Sequence, residues 1–196
     1  MKGPGRGKKP RRGEDEILTL HGWSVLAHPL FLDQMTRLTE AAAKEQRKPK
    51  RDEEGPNTKL LAHLAELAFG AIPRDPGNRA FRQGDTLGAN RKHWFRGKTG
   101  NGRYRLFFRY HSAARMIVLA WVNDSESLRT YGSATDAYQV FGRMLDAGNP
   151  PDSWDALMGA AQNPESIERL KALASKRVSS SHAGAQKAAR VPTKRR

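Results

Sequence analysis

Two neighbouring segments limit the possible folds of this chain more than any others: RYRLFFRYH (residues 103–111) and RMIVLAWVND (residues 115–124). Both are rich in aromatic and β-branched residues, and only Ser112 to Ala114 separate them, so they read as paired antiparallel strands. The first alternates. Tyr104, Leu106, Phe108 and Tyr110 share one face, while Arg103, Arg105, Phe107 and Arg109 share the other. The second is apolar on both faces and is expected at the centre of a sheet. KHWFRGK, joined through the turn TGNG, reads as a further strand.

Helical periodicity flanks this sheet. Phe31, Met35, Leu38 and Ala42 fall on one helical face after His28-Pro29, where proline suits the first helical turn. Leu60, Leu64, Leu67 and Ala71 form a second stripe, expected to stop at Pro73. The two read as an antiparallel helical hairpin. TDAYQVFGRMLDAG is a third helix with Thr135 as N-cap and Gly148 at its end; DSWDALMGAA and NPESIERLKALASKR follow as shorter helices. The expected fold is α+β: an antiparallel sheet packed against an N-terminal helical hairpin and C-terminal helices. Residues 1–16 are expected to be a disordered basic tail, 17–161 one domain, and 162–196 a short helix followed by a second disordered basic tail.

Charge sharpens the functional reading. The formal net charge is +15, but the first 12 residues hold six Lys or Arg and the last 26 hold eight, both without acids. The remainder is near neutral, yet residues 74–115 carry nine Arg and two Lys against only Asp75 and Asp85. A basic belt inside a near-neutral domain points to a polyanionic partner. Several classes are excluded. With no cysteine there is no disulfide framework and no thiolate zinc site, which fits a reducing cytoplasm. The apolar runs are far shorter than the ~18–20 residues of a membrane span. The histidines are scattered and none pairs at metal-ligand spacing, so neither metal nor cofactor is expected. Gly97-Lys98-Thr99 resembles the end of a phosphate-binding loop, but the glycine that motif needs is replaced by Lys92, and a strand follows instead of a helix.

The arginine face of residues 103–109 has two readings. The bland one is a solvated strand surface. Against it stand the choice of Arg, whose guanidinium fork matches phosphate oxygens, and the mutual repulsion of like charges along one strand. Phe107 among them is read as a stacking surface for unpaired bases. Since this face is taken as solvent-exposed, Arg105→Ala is expected to leave folding nearly intact. Arg96 and Lys98 on the preceding strand extend the belt. Arg129, Tyr131 and Tyr138 cluster in sequence around the next strand-to-helix junction, where Tyr138 reads equally as a core residue.

Taken together, LHGWSVLAHPLF, TKLLAHLAELAF, NRAFRQGDTLG, HWFRGK, GRYRLFFRY, LAWVNDSESLRTYG, TDAYQVFGRML and PPDSW resemble, in one collinear order, the YhaV toxin family. That family is similar to the RelE-like ribonuclease toxins of bacterial type II toxin–antitoxin systems. The resemblance implies a RelE-like domain and a cytoplasmic endoribonuclease toxin that blocks translation. It implies a PrlF-type antitoxin partner, an RNA substrate such as mRNA, free or on the ribosome, and operator DNA contacted only through the antitoxin complex. The basic tails lie outside the matching blocks.

The same resemblance implies a metal-independent reaction. The RNA 2′-OH attacks the scissile phosphate and leaves a 2′,3′-cyclic phosphate, so the protein must supply charge stabilisation and proton transfer. Arg105 would hold the phosphate, and Arg96 and Lys98 would lie near the 2′-OH and phosphate. Arg129 would serve the leaving-group side, with Tyr131 or Tyr138 stacking a base or donating a proton. Catalytic candidates are therefore Arg105, Lys98, Arg129, Tyr131 and Tyr138; RNA-binding candidates are Arg96, Arg103, Phe107, Arg109 and His93. The division of roles among Lys98, His93 and the tyrosines stays open, and Arg103 and Arg109 serve either RNA or the antitoxin. The rival functions are a non-catalytic RNA- or ribosome-binding protein and an inactive toxin relative acting in repression.

Overall fold

The computed structural model describes residues 17–47 and 54–188; the expected N-terminal tail and the last basic residues lie outside them. The chain opens with a hairpin of β1 (Leu18–Leu20) and β2 (Trp23–Ala27). His21 and Gly22 between them have positive φ, 49° and 77°, the tight turn whose twist matches paired strands. Sequence reasoning saw only an apolar cluster here, because three-residue strands are too short to display alternation.

Helix α1 (Pro29–Gln46) starts at once, with the His28 imidazole accepting from the Leu30 N–H at 3.3 Å. Burial lowers the His28 pKa, keeping the ring a neutral acceptor, against a smaller upward pull from Asp33. At its far end Glu45 accepts from the N–H groups of Asn57 and Thr58, at 3.1 and 3.2 Å, in the first turn of α2 (Pro56–Glu66). This carboxylate closes the expected helical hairpin, since the first N–H groups of a helix lack partners of their own. The second helix does not stop at Pro73. It widens into a π turn at Leu67–Ala71 and ends as α3 (Ile72–Arg74). The wider turn accommodates a proline ring that would otherwise crowd the carbonyl one turn back.

Strands β3 (Phe95–Thr99), β4 (Tyr104–His111) and β5 (Met116–Val122) complete a sheet of order β1-β2-β5-β4-β3. The apolar β5 is central, as its two-sided burial predicts. The sheet is mixed, whereas a wholly antiparallel one was expected: β2 runs parallel to β5, with Val25 opposite Ile117. Parallel pairing needs a long crossover, and the helical hairpin inserted between β2 and β3 supplies it.

Helices cover both faces. On one side α1, α2 and α6 (Pro164–Ala188) bury Phe31, Met35, Leu64 and Leu170 against Leu106, Phe108 and Leu119. The last helix is longer than the sequence pattern suggested, and its Leu170 belongs to this core. On the other side α4 (Ala137–Asp146) and α5 (Trp154–Ala161) cover Phe107, Val118 and Trp121. Asp136, not Thr135, caps α4. A bulge makes the second layer possible. Phe107 pairs with Trp121 and Phe108 with Leu119, so Ala120 is the extra residue and both Ala120 and Trp121 join the second layer.

This second layer overturns the reading of β4 as a strand with a wet face. Phe107 is fully buried, stacked on Phe141 at 4.1 Å between ring centroids and on Trp121 at 5.8 Å. No base can stack on it. Its role is structural, because the amphipathic α4 needs an aromatic platform to pack on. Among the described residues, no helix is long and apolar enough to cross a membrane.

Candidate active site

With Phe107 covered, the arginines of β4 emerge at opposite ends of α4. At the β3–β4 turn end, Lys98 lies directly opposite Arg105, and Arg96 opposite Phe107. Arg105 is only 5% exposed and Arg96 8%, so neither is the solvated strand residue the alternation implied. Arg105→Ala must therefore carry a folding cost.

Backbone groups hold these guanidiniums. Arg105 Nη1 donates to the Gly102 and Tyr104 carbonyls, and its N–H donates to the Asn123 side chain at 2.5 Å. Arg96 Nη1 donates to the Ala80 carbonyl at 2.5 Å, and its Nε to the Tyr138 hydroxyl at 2.9 Å. Among the described residues, no carboxylate forms an ion pair with Arg96, Lys98 or Arg105. The buried Arg105 Nε has no hydrogen-bond partner at all. An orphaned, charged donor of this kind is costly in a folded chain unless a ligand meets it.

Arg129 approaches from the segment after β5. Its N–H donates to the Arg103 carbonyl at 3.1 Å, extending the strand pairing by one bond. Its side chain pairs with Asp136 and lies over two rings, 3.7 Å from the Tyr131 centroid and 5.0 Å from that of Tyr138. Tyr131 is 86% exposed, presenting an aromatic face beside a cationic cluster. Tyr138 is buried, with its edge on Phe107, so it is a core residue, and its hydroxyl accepts from Arg96 at the border of the basic cluster. Arg103 and Lys98 are exposed at the rim. Beside Lys98 an open depression of about 320 Å³ runs past Gly100 to His63 and Glu66 on α2. The Gly97 of the phosphate-loop look-alike has a packing reason, since a Cβ there would meet Leu67 at 2.7 Å.

The electrostatics follow from this crowding. The Lys98 pKa is lowered chiefly by the Arg96 charge, then by partial burial and by Arg105, with Arg129 adding less and Tyr131 opposing. A lysine among arginines loses its proton more easily than one in water.

The remaining nominees lie elsewhere. His93 and Arg109 sit at the opposite end of β4, around Asp152. His93 Nε2 is 2.8 Å from that carboxylate, and Trp94 Nε1 donates to it at 2.6 Å. Arg109 lies between the Trp94 and Trp154 rings, at 5.6 and 5.4 Å, and donates to the Asp152 carbonyl at 2.5 Å. The cluster at Arg105 excludes both. Four further residues of the basic belt are similarly engaged: Arg91 with Asp146 and Asp152, Lys92 with Asp85, Arg82 over Phe95 and Arg115 over Trp23.

Sequence reasoning missed two residues that build the site, Asn123 and Asp136. Asn123 bonds Arg105 N–H, the Ser127 carbonyl at 2.8 Å and the Arg103 carbonyl at 3.3 Å. The adjacent Asp124 has a depressed pKa. Burial pushes it up, but hydrogen bonds from Ser127, Gln34 and the Glu126 N–H outweigh that. Asp136 had a local signal in its place just before an amphipathic helix, but Thr135 competed for the same cap. Among the described residues, no three His, Asp or Glu side chains gather as a metal site would require.

With the geometry of this cluster in view, similarity to known proteins becomes informative. The family model for YhaV toxins, described as a toxin with endonuclease activity of a toxin–antitoxin system, matches residues 25–162. The chain belongs to the YhaV toxin family. It is 43% identical over 140 residues to the Toxin YhaV of Escherichia coli O6:H1 (strain CFT073), covering 70% of this chain and 91% of that one. It is 42% identical over the same length and coverage to the Ribonuclease toxin YhaV of Escherichia coli K12. No solved structure matches the chain significantly. The YhaV match includes every residue of both clusters, and the resemblance drawn from the sequence blocks is borne out. A toxin of a toxin–antitoxin system, with endonuclease activity, has an antitoxin as its partner.

Proposed function

We propose that this YhaV-family toxin is a metal-independent endoribonuclease whose active site is the cluster of Arg96, Lys98, Arg105, Arg129, Tyr131 and Tyr138. The observation that carries the reading is the buried Arg105 guanidinium, with no carboxylate and an unpartnered Nε, inside a group of further cations. Such a group suits a pentacoordinate phosphorane-like transition state, where extra negative charge develops on the phosphate oxygens. The name of the K12 relative, a ribonuclease toxin, supports RNA as substrate.

The chemistry follows from the residues. Arg105 and Arg96 neutralise the non-bridging oxygens. Lys98, its pKa lowered by those same arginines, takes the 2′-OH proton as the oxygen attacks phosphorus. Breaking the bond to the 5′-oxygen leaves a 2′,3′-cyclic phosphate, with Arg129 stabilising the charge on the departing oxygen, which takes a proton from solvent to become a 5′-hydroxyl. Exposed Tyr131 stacks a base next to the scissile bond. Arg103 grips the flanking backbone. The partner antitoxin is of the PrlF type, operator DNA is contacted through the toxin–antitoxin complex, and the protein acts on mRNA in the bacterial cytoplasm.

The test is cleavage of an RNA oligonucleotide in excess EDTA with end-group analysis. Scission with 2′,3′-cyclic phosphate ends is expected, and a single 2′-deoxy substitution at the cleavage site should abolish it. Strict metal dependence, or unimpaired cutting of the 2′-deoxy substrate, would refute the mechanism. Salt-sensitive RNA binding by the unmodified protein without any scission would favour a binding protein instead.

A further inference from the structure

The cationic cluster contains one feature that opposes anion binding, a buried carboxylate. Asp136 is only 2% exposed, and both of its oxygens are used. Oδ1 accepts from the Tyr138 N–H at 3.0 Å, capping α4. Oδ2 accepts from the Thr130 N–H at 2.7 Å and from Arg129 Nη1. A cap alone needs one acceptor oxygen, which serine, threonine or asparagine provides equally well. The second oxygen therefore has a different task. It fixes the arginine that otherwise hangs from an irregular segment, and it holds that guanidinium between the Tyr131 and Tyr138 rings.

Its other oxygen reaches the site by another route. By setting where α4 begins, it sets where Tyr138 stands, and the Tyr138 hydroxyl accepts from Arg96 Nε. One carboxylate thus orients two cations of the cluster: Arg129 directly, Arg96 through Tyr138. The Asp136 charge lowers the net positive charge of the site, so affinity for RNA is not what it improves. What it improves is the precision with which two cations meet the reacting phosphate, and small misplacements of such groups cost large factors in rate.

We infer that Asp136 is a positioning residue for RNA cleavage, acting through Arg129 and Tyr138 without touching the substrate. This rests on the ribonuclease reading of the Arg105 cluster. The variants to compare are Asp136→Ser, which keeps an oxygen for the helix cap, and Asp136→Asn, which keeps the cap but turns an amide N–H₂ toward Arg129 and the Thr130 N–H. Both should lower kcat about 10- to 100-fold. The Kd for a non-cleavable 2′-deoxy analogue should stay within about threefold, since the cations themselves remain. Combined with Arg129→Ala, Asp136→Ser should add little further loss, because the two residues act as a unit.

A purely structural role predicts otherwise. If Asp136→Ser lowers kcat by the same factor with and without Arg129, or weakens analogue binding as much as it slows cleavage, the inference is overturned. A full-speed Asp136→Asn would overturn it as well. These results leave the ribonuclease reading untouched, whereas absence of cleavage by the unmodified toxin would remove that reading first and this inference with it.

Discussion

Arg105 and Arg109 lie on the same strand and the same face, separated by the buried Phe107, and they have opposite surroundings. Arg109 is wedged between two tryptophan rings, bonded to the Asp152 backbone, beside a carboxylate that also holds His93 and Trp94. Burial lowers its pKa, and the Asp152 charge partly restores it. The Arg105 guanidinium bonds two backbone carbonyls and lies 6.0 Å from the Tyr138 ring centroid, with no carboxylate and a buried Nε without a hydrogen-bond partner. The first arginine is satisfied by its own chain and fastens α5 to the sheet. The second has no acidic partner among the described residues. Residue type and strand face cannot separate the two; the groups around them do.

This contrast can be broken most directly at Arg105. Arg105→Lys keeps the charge but loses the planar fork, and cleavage should fall roughly 10²–10³-fold, as on loss of one transition-state donor. Near-normal cleavage by this variant would erase the distinction between the two ends. The mirror experiment is Arg109→Ala. It removes two cation–π contacts and a hydrogen bond, so it should cost about 2–3 kcal/mol of stability in denaturant unfolding, with cleavage by the folded protein kept within about threefold. A large loss of activity without loss of stability would make Arg109 an RNA ligand after all.

Smaller effects sharpen the picture. Asp152 has a depressed pKa: burial raises it, but the His93 and Trp94 hydrogen bonds and the His93 and Arg91 charges pull it below the ordinary range. A carboxyl with a lowered folded pKa stabilises the native state above the ordinary carboxylate pKa. That stabilisation fades as pH falls through the folded value. Because the group is partly exposed, Asp152→Asn should cost about 0.5–1 kcal/mol at neutral pH and flatten the acid limb of stability against pH. Unchanged acid sensitivity would show that the network is not coupled to folding. The smallest effect is electrostatic. Arg96→Gln should raise the Lys98 pKa, and more than any neutral substitution at Arg129, because Arg96 is the largest cause of its depression. NMR titration of the Lys98 ammonium reads this directly, and the reverse order would refute the assignment of cause.

Much of the fold was legible beforehand because its signals are local. The alternation of β4, the two-sided apolar run of β5, the stripes of α1 and α2 and the turn glycine at Gly148 all lie within a few residues of what they determine. The β1–β2 hairpin was not legible, being too short for a period, and so the parallel pairing of β2 with β5 was missed too. Phe107 was misplaced for a different reason. Alternation correctly put it on the face opposite Leu106 and Phe108, but whether that face meets water depends on where α4 lands, a contact made across the fold.

The candidate site divides in the same way. The sequence by itself determined the chemical inventory: an arginine-rich strand, a neighbouring lysine, an arginine and two tyrosines before a helix, and the family they resemble. Tertiary structure decided which of these stand together, because only the packed sheet sets Lys98 opposite Arg105 and brings Arg129 and Tyr138 over from after β5. It removed His93, Phe107 and Arg109, and it brought in Asn123 and Asp136. The physical reason is range. Side-chain periodicity reports the direction a residue faces, while burial and ionic partnership depend on elements far away in the chain, which come into contact only in the folded protein.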